Sequence, residues 1–252
     1  MASNQPGRCC ALGHLHEGTP SGENIKIGKI DAYFAKPTTT NHNNKTLVVY
    51  LPDIIGIWQN SKLMADAFAA EGFACVVVDL FNGDPGPLNP PEGFDLMGWL
   101  QKGSDGNNPH GVEQADAITA EALQWAKQQG YTKIGAAGYC FGAKYCVRHY
   151  KNGIGATFLA HPSFVDEEEL AAITGPLAIA AAQFDDIFPT EKRHKSEEVL
   201  AKTGVDWQIF LHSGVQHGFA VRGDMTKPNV KRAKEQAFKQ AVEWFESQLS
   251  LA

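Results

Sequence analysis

Short apolar runs alternate with amphipathic helical patterns along most of this 252-residue chain. Apolar runs rich in β-branched or aromatic residues predict buried strands over residues 46–51, 73–80, 133–138, 156–160, 177–182 and 207–211. Helical patterns lie between and after them, over residues 61–71, 111–129, 143–150, 166–173, 190–202 and 229–248. Because right-handed crossovers of this kind join parallel strands, the pattern predicts an α/β fold, with a mostly parallel central sheet and helices on both faces.

One domain and a preceding arm account for the chain. Residues 1–28 are rich in Gly, Ser, Pro and His without apolar periodicity, so they are predicted to form an irregular arm packed on a single domain, residues 29–252. Within the domain, residues 30–35 alternate like a short strand and residues 37–44 predict a polar turn. The glycine- and proline-rich stretch 82–109 is a candidate lid or pocket wall.

Charge and hydropathy exclude several classes of protein. The formal net charge of −6 arises from scattered charges of both signs, with no basic run to neutralise nucleic-acid phosphates. The first eight residues lack the apolar core of a signal peptide, and no stretch approaches the ~18 uninterrupted apolar residues of a membrane helix. We therefore expect a cytoplasmic protein without nucleic-acid or membrane partners, whose five cysteines are reduced thiols.

A candidate nucleophile lies where the predicted strand 133–138 runs into a helix. Residues 138–142 read Gly-Tyr-Cys-Phe-Gly, the Gly-x-nucleophile-x-Gly elbow of α/β-hydrolases with Cys140 in the usual serine position. Glycines flank the nucleophile because the strained turn leaves no room for side chains. The following helix start favours the thiolate and offers N–H groups to an oxyanion. A small buried cysteine in a tight turn, as expected for Cys75 and Cys146, is the non-catalytic interpretation.

Later strands supply a carboxylate and a histidine in the chain order that the α/β-hydrolase fold uses. Asp185 and Asp186 both follow a predicted strand, and only one can face the site because successive residues point to opposite sides. We favour Asp185 and keep Asp186 as the alternative. His217 lies in a loop after the last core strand and is the candidate general base. His161 lies on an earlier loop, where it could line the substrate pocket.

Together these residues resemble the dienelactone hydrolase family over nearly the whole chain, from about residue 25 to residue 249. The elbow is similar to the family's Gly-Tyr-Cys-x-Gly, Asp185 followed four residues later by Pro189 is similar to its acid loop, and residues 217–219, His-Gly-Phe, are similar to its histidine loop. In the arm, residues 9–10 (Cys-Cys) with residues 16–18 (His-Glu-Gly) further resemble the fungal branch. The resemblance implies an α/β-hydrolase fold.

The resemblance also implies roles for four residues outside the triad. Family members carry an acidic residue after the first core strand that contacts the resting thiol, and Asp53 is assigned this gating role; a strand-end aspartate capping the next helix is the alternative. The backbone N–H groups of Ile54 and Phe141 would bind the oxyanion. Arg222 is assigned to a substrate carboxylate, with a surface arginine as the alternative. Residues 79–84 lack the arginine that bacterial members use, so the substrate need not be a dienelactone.

These interpretations predict an enzyme like carboxymethylenebutenolidase. It would hydrolyse a small ester, enol lactone or thioester through the Cys-His-Asp triad and an acyl-cysteine intermediate. Tyr139, Trp99 and His161 are further candidates for substrate contacts. No cofactor or metal is expected, and the chain is expected to be a monomer or a homodimer.

Two other functions fit parts of the sequence. The fold could serve a non-catalytic ligand-binding or redox-responsive protein with Cys140 as an oxidisable thiol, which hydrolytic turnover would distinguish from an enzyme. Cys9 and Cys10 with His14 and His16 suggest a metal site in the arm. Adjacent cysteines rarely share good tetrahedral geometry, so an arm that lines the substrate or is purely structural is favoured.

Overall fold

A twisted eight-stranded sheet forms the centre of the protein in the computed structural model, which describes residues 1–37 and 45–250. The strands are β1 (Glu23–Ile27), β2 (Ile30–Ala35), β3 (Thr46–Leu51), β4 (Ala74–Val78), β5 (Lys133–Tyr139), β6 (Ala156–Ala160), β7 (Leu177–Phe184) and β8 (Trp207–Gln216). Their order across the sheet is β1-β2-β4-β3-β5-β6-β7-β8. Strands β3 to β8 pair in parallel, whereas β2 runs antiparallel to β1 and β4. The predicted mostly parallel sheet is confirmed.

Helices cover both faces of this sheet. They are α1 (Gln59–Ala70), α2 (Leu96–Lys102), α3 (Val112–Gln128), α4 (Gly142–Arg148), α5 (Glu167–Ala171), α6 (Thr190–Leu200), α7 (Phe219–Arg222) and α8 (Pro228–Ser250). Val49 of β3 faces a core shared with α3 and α4, whereas its neighbours Val48 and Tyr50 face a second core shared with α1 and α8. Burial on both faces explains why β3 is continuously apolar instead of alternating.

Three elements were not predicted. Strand β1 lies within the stretch assigned to an irregular arm, because Glu23–Ile27 is a largely exposed edge strand whose polar residues give no apolar signal. Helix α2 lies within the glycine-rich stretch 82–109, where Asp95 accepts a hydrogen bond from the Gly98 N–H and caps it. Helix α7 is a single turn directly after His217. The division into arm and domain stays a prediction, and residues 38–44 of the predicted polar turn lie outside the described residues.

Parallel strands bring three loops to one edge of the sheet. The carboxyl ends of β5, β7 and β8 lead to Cys140, Asp185 and His217, respectively. Reactive groups of open α/β sheets collect at this edge. Over the part of the chain that the structure describes, no helix has the length and apolar character needed to cross a membrane.

Candidate active site

Cys140 lies in the tight turn between β5 and α4. Its backbone has a φ of +51°, which is strained for a residue with a side chain. A side chain at Gly138 would meet the Ala143 Cα at 2.7 Å, and one at Gly142 would collide with the carbonyl oxygen of Leu51. The two glycines are therefore required by close backbone approaches, and the turn projects the Cys140 side chain beyond the end of the sheet.

His217 hydrogen-bonds to the carboxylate that follows β7. Its Nδ1 lies 2.9 Å from Oδ2 and 3.0 Å from Oδ1 of Asp185, whose Oδ1 also accepts the backbone N–H groups of Ile187 and Phe188. The alternative carboxylate, Asp186, points to solvent. The other ring nitrogen of His217, Nε2, lies within 4.8 Å of the Cys140 Sγ. Cysteine, histidine and aspartate thus form a continuous buried chain of polar groups.

The charges in this chain favour an ionised thiol and a protonated imidazole. Burial opposes ionisation of Cys140, but hydrogen bonding from Cys10 and the charge on His217 outweigh it and hold the thiol pKa well below its usual range. Burial likewise disfavours the imidazolium, but Asp185 and Cys140 raise the pKa of His217 to about 10. Burial would raise the pKa of Asp185, yet His217 keeps it lowered. The site therefore resembles the thiolate–imidazolium pairs of cysteine enzymes.

Two backbone N–H groups are available near the thiol. Among the residues that the structure describes, the N–H groups of Phe141 and Ile54 donate no hydrogen bond within the protein. The loop that carries Ile54 is tied to the elbow by the Gly142 N–H, which donates to the Pro52 carbonyl at 3.1 Å. Both predicted oxyanion donors are thus free to bind a ligand oxygen, and the loops that carry them are joined.

Asp53 and Arg222 form a buried ion pair beside this loop. The Arg222 Nη1 donates to Asp53 Oδ2, and each side chain is only 1% exposed. Asp53 Oδ1 accepts the Ile55 N–H at 3.1 Å, and within the described residues no hydrogen bond joins Asp53 to Cys140. Burial raises the pKa of Asp53 to about 6, although the Arg222 charge opposes this shift. The resting state thus has Asp53 paired with Arg222, and the gating role stays a prediction.

The amino-terminal arm covers the site. Its single 3₁₀ turn, Arg8–Cys10, buries Cys10 completely and places its Sγ 3.4 Å from Nε2 of His217. Arg222 donates to the carbonyls of Leu12 (3.0 Å) and Cys9 (3.3 Å). The arm carbonyls therefore accept hydrogen bonds from Arg222 N–H groups that a substrate carboxylate would need. Sequence reasoning missed the contact of Cys10 with the site, and the Cys-Cys pair in an otherwise cysteine-poor chain was the available signal.

Known proteins resemble this chain over most of its length. The sequence pattern of the Dienelactone hydrolase family matches residues 30–249. The chain belongs to the dienelactone hydrolase family. Hydrolase pyvD of Aspergillus violaceofuscus is 44% identical, with 99% of each chain covered, and hydrolase tropI of Talaromyces stipitatus is 45% identical, with 97% of each covered. The predicted family, including the likeness to fungal members, is confirmed.

A solved structure has the same fold as this dienelactone hydrolase family member. It is described as a candidate dienelactone hydrolase from Klebsiella pneumoniae and aligns with a TM-score of 0.72 at 16% identity. The alignment covers 90% of this chain and 98% of the Klebsiella chain. The α/β-hydrolase fold class is therefore confirmed. The predicted class of enzyme, a hydrolase of carboxylic esters or lactones, is also confirmed at the level of the family.

Three further residues were predicted to contact the substrate, and they lie at different depths around the site. The His161 ring is 5.0 Å from the His217 ring, and neither of its nitrogens has a hydrogen-bond partner among the described residues. Burial holds the pKa of His161 well below its usual range, so it is neutral. Tyr139 stacks on Tyr50 at 4.5 Å, within the core shared with α1 and α8. Trp99 packs against Phe81 at 5.2 Å, one layer behind Phe141. Of the three, His161 lies next to the proposed reacting groups.

Two cavities border His217, whose side chain is 1% exposed. Cys140, which is fully buried, lines neither of them. One, of about 510 Å³, is lined by Cys9, Asp185, Asp186 and Glu191 among others. A second, of about 350 Å³, lies between the arm and α7 and also contacts Arg222. A larger cavity of about 690 Å³ lies between the arm, α1 and α8 and contacts none of the predicted catalytic side chains. A ligand in either cavity would contact His217 from the side of the arm.

A methyl group at Gly142 is expected to disturb the site and the fold together. In Gly142→Ala the new Cβ would push the Leu51 carbonyl and the loop bearing Ile54 away from the elbow, at a cost of about 1–3 kcal/mol or more. Chemical unfolding and ester turnover would both report the loss. Gly111→Ala is the control, since its Cβ meets only the flexible end of Gln114, at 3.0 Å; because Gly111 caps α3, the change is expected to cost about 1 kcal/mol or less. Equal stability of the two variants would contradict the close-approach argument.

Proposed function

We propose that this protein hydrolyses a small carboxylic ester, enol lactone or thioester through Cys140, His217 and Asp185, by way of an acyl-cysteine. The observation that carries the proposal is the buried hydrogen bond between His217 and Asp185, together with a His217 ring nitrogen within 4.8 Å of the sulfur of Cys140, which lies in a hydrolase elbow. Membership of the dienelactone hydrolase family supplies the class of reaction.

Acylation begins from the thiolate–imidazolium pair. The Cys140 sulfur attacks the carbonyl carbon, and the N–H groups of Phe141 and Ile54 stabilise the negative charge on the carbonyl oxygen. When the carbonyl re-forms, the bond to the leaving oxygen, or to the leaving sulfur of a thioester, breaks, and His217 gives its Nε2 proton to the departing alkoxide, enolate or thiolate. Asp185 holds the ring by its Nδ1–H throughout and stabilises its charged form. An ester or thioester gives an alcohol, enol or thiol and the acyl-enzyme, whereas a lactone gives an acyl-enzyme that retains the new hydroxyl or enol group.

Deacylation uses the same histidine as a base. Neutral His217 takes a proton from water, and the resulting hydroxide attacks the thioester carbonyl in the same oxyanion pocket. Cleavage of the carbon–sulfur bond releases the carboxylic acid and restores the thiolate and imidazolium. His161, neutral and adjacent, does not compete for this proton.

The substrate class follows from the nucleophile and from Arg222. A thiolate is a good leaving group, so it displaces readily departing enolates, phenolates and thiolates more easily than amines. With the arm in place, Arg222 is bound to Asp53 and to two arm carbonyls, which favours substrates that carry no carboxylate. We extend the proposal to a cytoplasmic enzyme without cofactor, active as a monomer or homodimer.

A substrate panel tests the proposed activity. Aryl esters, thioesters and paired neutral and carboxylated lactones would be compared for kcat/KM, with iodoacetamide treatment as a control for thiol dependence. We expect turnover that iodoacetamide abolishes, with neutral lactones preferred. Alkylation of Cys140 together with absence of turnover on every substrate would instead favour the binding or redox-responsive protein.

The pH dependence of Cys140 alkylation tests the ion pair. Because its pKa is held well below the usual range, Cys140 stays a thiolate as the pH falls from 8 to 6, and its alkylation rate should change little. An ordinary thiol would slow by roughly 100-fold over this interval. In His217→Ala the Cys140 thiol loses its cationic partner. Its alkylation rate should then fall between pH 8 and pH 6, as that of an ordinary thiol does.

Peptide mass spectrometry makes this measurement specific to one thiol. Site-resolved detection in a Cys9→Ala background is needed because Cys10 also lowers the pKa of the half-buried Cys9 thiol. A steep fall in wild-type Cys140 alkylation between pH 8 and pH 6 would contradict the thiolate–imidazolium pair.

A further inference from the structure

Cys10, Cys140 and His217 bring two sulfurs and one imidazole nitrogen together in the interior. The Sγ atoms of Cys10 and Cys140 and one His217 ring nitrogen all lie within 4.8 Å of one another, and all three residues are buried. We propose that these three side chains form a binding site for a borderline-soft divalent cation of the Zn²⁺ class, and that the bound ion inhibits the enzyme. The inhibition rests on the proposed function, whereas the binding does not.

The spacing of the atoms suits tetrahedral coordination. Zinc binds cysteine sulfur at about 2.3 Å and histidine nitrogen at about 2.0–2.1 Å, which places neighbouring sulfur and nitrogen ligands roughly 3.6 Å apart. Cys10 Sγ and His217 Nε2 are 3.4 Å apart, so this pair needs almost no movement. The Cys140 sulfur lies within 4.8 Å of both, a distance that a side-chain rotation of either cysteine can shorten. Three protein ligands leave the fourth position for water or another small ligand.

His217 has the second hydrogen bond that zinc-binding histidines usually make through the ring nitrogen that does not bind the metal. Asp185 accepts from Nδ1 of His217 at 2.9 Å, which fixes the ring and leaves Nε2 as the metal-binding nitrogen. Two thiolates and a neutral imidazole balance the charge of a divalent ion, so the ion and its three ligands together carry no net charge. As the ion binds, the Cys10 thiol and the His217 imidazolium each release one proton to solvent, whereas Cys140 is already a thiolate.

An acidic cavity lies beside the site. The cavity of about 510 Å³ that reaches His217 is lined by the carboxylates of Asp185, Asp186 and Glu191 and by Cys9. These charges attract a cation to the opening. His14 and His16 do not contribute: among the described residues, no set of three ligands contains either of them, and His16 instead bonds the Gly223 carbonyl at 2.8 Å. The site differs in this way from the arm-only metal site considered from the sequence.

The ion would occupy the atoms that the reaction needs. Coordination engages the Cys140 sulfur and the Nε2 of His217, which are the proposed nucleophile and base. Hydrolysis should therefore stop when the site is filled and return when a chelator removes the ion. Cys140 and His217 alone provide only two ligands. The arm supplies the third, Cys10.

Direct metal binding provides the test. Reduced full-length protein would be titrated with Zn²⁺ in equilibrium dialysis and with Co²⁺, whose thiolate-to-metal charge-transfer absorption reports bound sulfur. We expect one ion per chain, and an affinity that falls by ~100-fold or more in Cys10→Ala as one of three ligands is lost. The charge-transfer intensity should also drop by about half, since one of two thiolates is gone.

Cys9→Ala is the matched control, since Cys9 adjoins Cys10 in the arm but is not among the three ligands. It should bind the ion as the wild type does. The proposal is overturned if the wild type binds no ion, if Cys10→Ala binds as tightly as the wild type, or if Cys9→Ala weakens binding equally. Because dialysis and absorption require no substrate, these outcomes remain distinct from a failure of the hydrolase proposal, which would appear only as absence of turnover.

Discussion

Cys140→Ala is expected to lower kcat/KM for an aryl ester by roughly 10⁴-fold, because the variant has no atom that can form the acyl-enzyme. Its fold should persist, since alanine is smaller than cysteine and keeps the strained backbone free of a larger side chain. Stopped-flow or steady-state hydrolysis, alongside circular dichroism and a thermal melt, would measure both properties.

Two further variants test whether the loss of turnover is specific to the Cys140 thiol. Cys75→Ala removes another fully buried thiol, located in the sheet on β4, and should leave turnover within a few-fold of the wild type. Cys140→Ser retains a nucleophile of the common hydrolase type but has a hydroxyl that the surrounding charges ionise far less readily than a thiol. It should fall between the wild type and Cys140→Ala. Ester turnover that survives in Cys140→Ala would rule out the proposed nucleophile.

Arg222→Met is expected to have the largest effect on stability, lowering the free energy of unfolding by about 3–5 kcal/mol. The substitution leaves the Asp53 carboxylate buried without its ion-pair partner and removes donors from the Leu12 and Cys9 carbonyls. Urea unfolding followed by tryptophan fluorescence would measure the change. Loss of the arm contacts should also increase proteolysis near residue 12.

The double variant Asp53→Asn with Arg222→Met separates the unpaired charge from lost packing. It should recover part of the stability because neither charge remains. Arg148→Met is the comparison at a more exposed position: Arg148 pairs with Asp116 and Glu169 while 31% exposed, and its loss should cost about 1 kcal/mol or less. Similar losses for Arg222→Met and Arg148→Met would show that the buried pair contributes little.

Much of the sheet could be predicted from local pattern. The alternating stretch 30–35 coincides with β2. The apolar runs at residues 46–51 and 156–160 coincide with β3 and β6, because strands buried on both faces carry a continuous signal in the sequence. Parallel pairing then brings their carboxyl ends together. The positions of Cys140 and His217 relative to one another follow from this topology, although the residues are 77 apart in the chain.

The arm could not be predicted in this way. Cys10 reaches the site through tertiary contacts whose donors and acceptors are mostly backbone groups, such as the Ala11 carbonyl that accepts from the Asn89 N–H. Any residue offers such groups, so no sequence pattern marks them. Arg222 was assigned to a substrate carboxylate from the family resemblance. Its partners in the structure, Asp53 and the arm carbonyls, lie at least 169 positions away, so no local pattern marks the pairing. Such contacts become visible only in the folded chain.

The acyl-enzyme provides the most direct test of the account. Wild-type protein would be mixed with excess 4-nitrophenyl acetate, quenched in acid within milliseconds to seconds, digested and analysed by mass spectrometry. The account predicts an acetyl group on Cys140, formed at the rate of the nitrophenolate burst and lost at the rate of steady-state turnover. Steady turnover with acetylation elsewhere, for example at Ser163, whose Oγ lies 3.6 Å from the Cys140 sulfur, would contradict it.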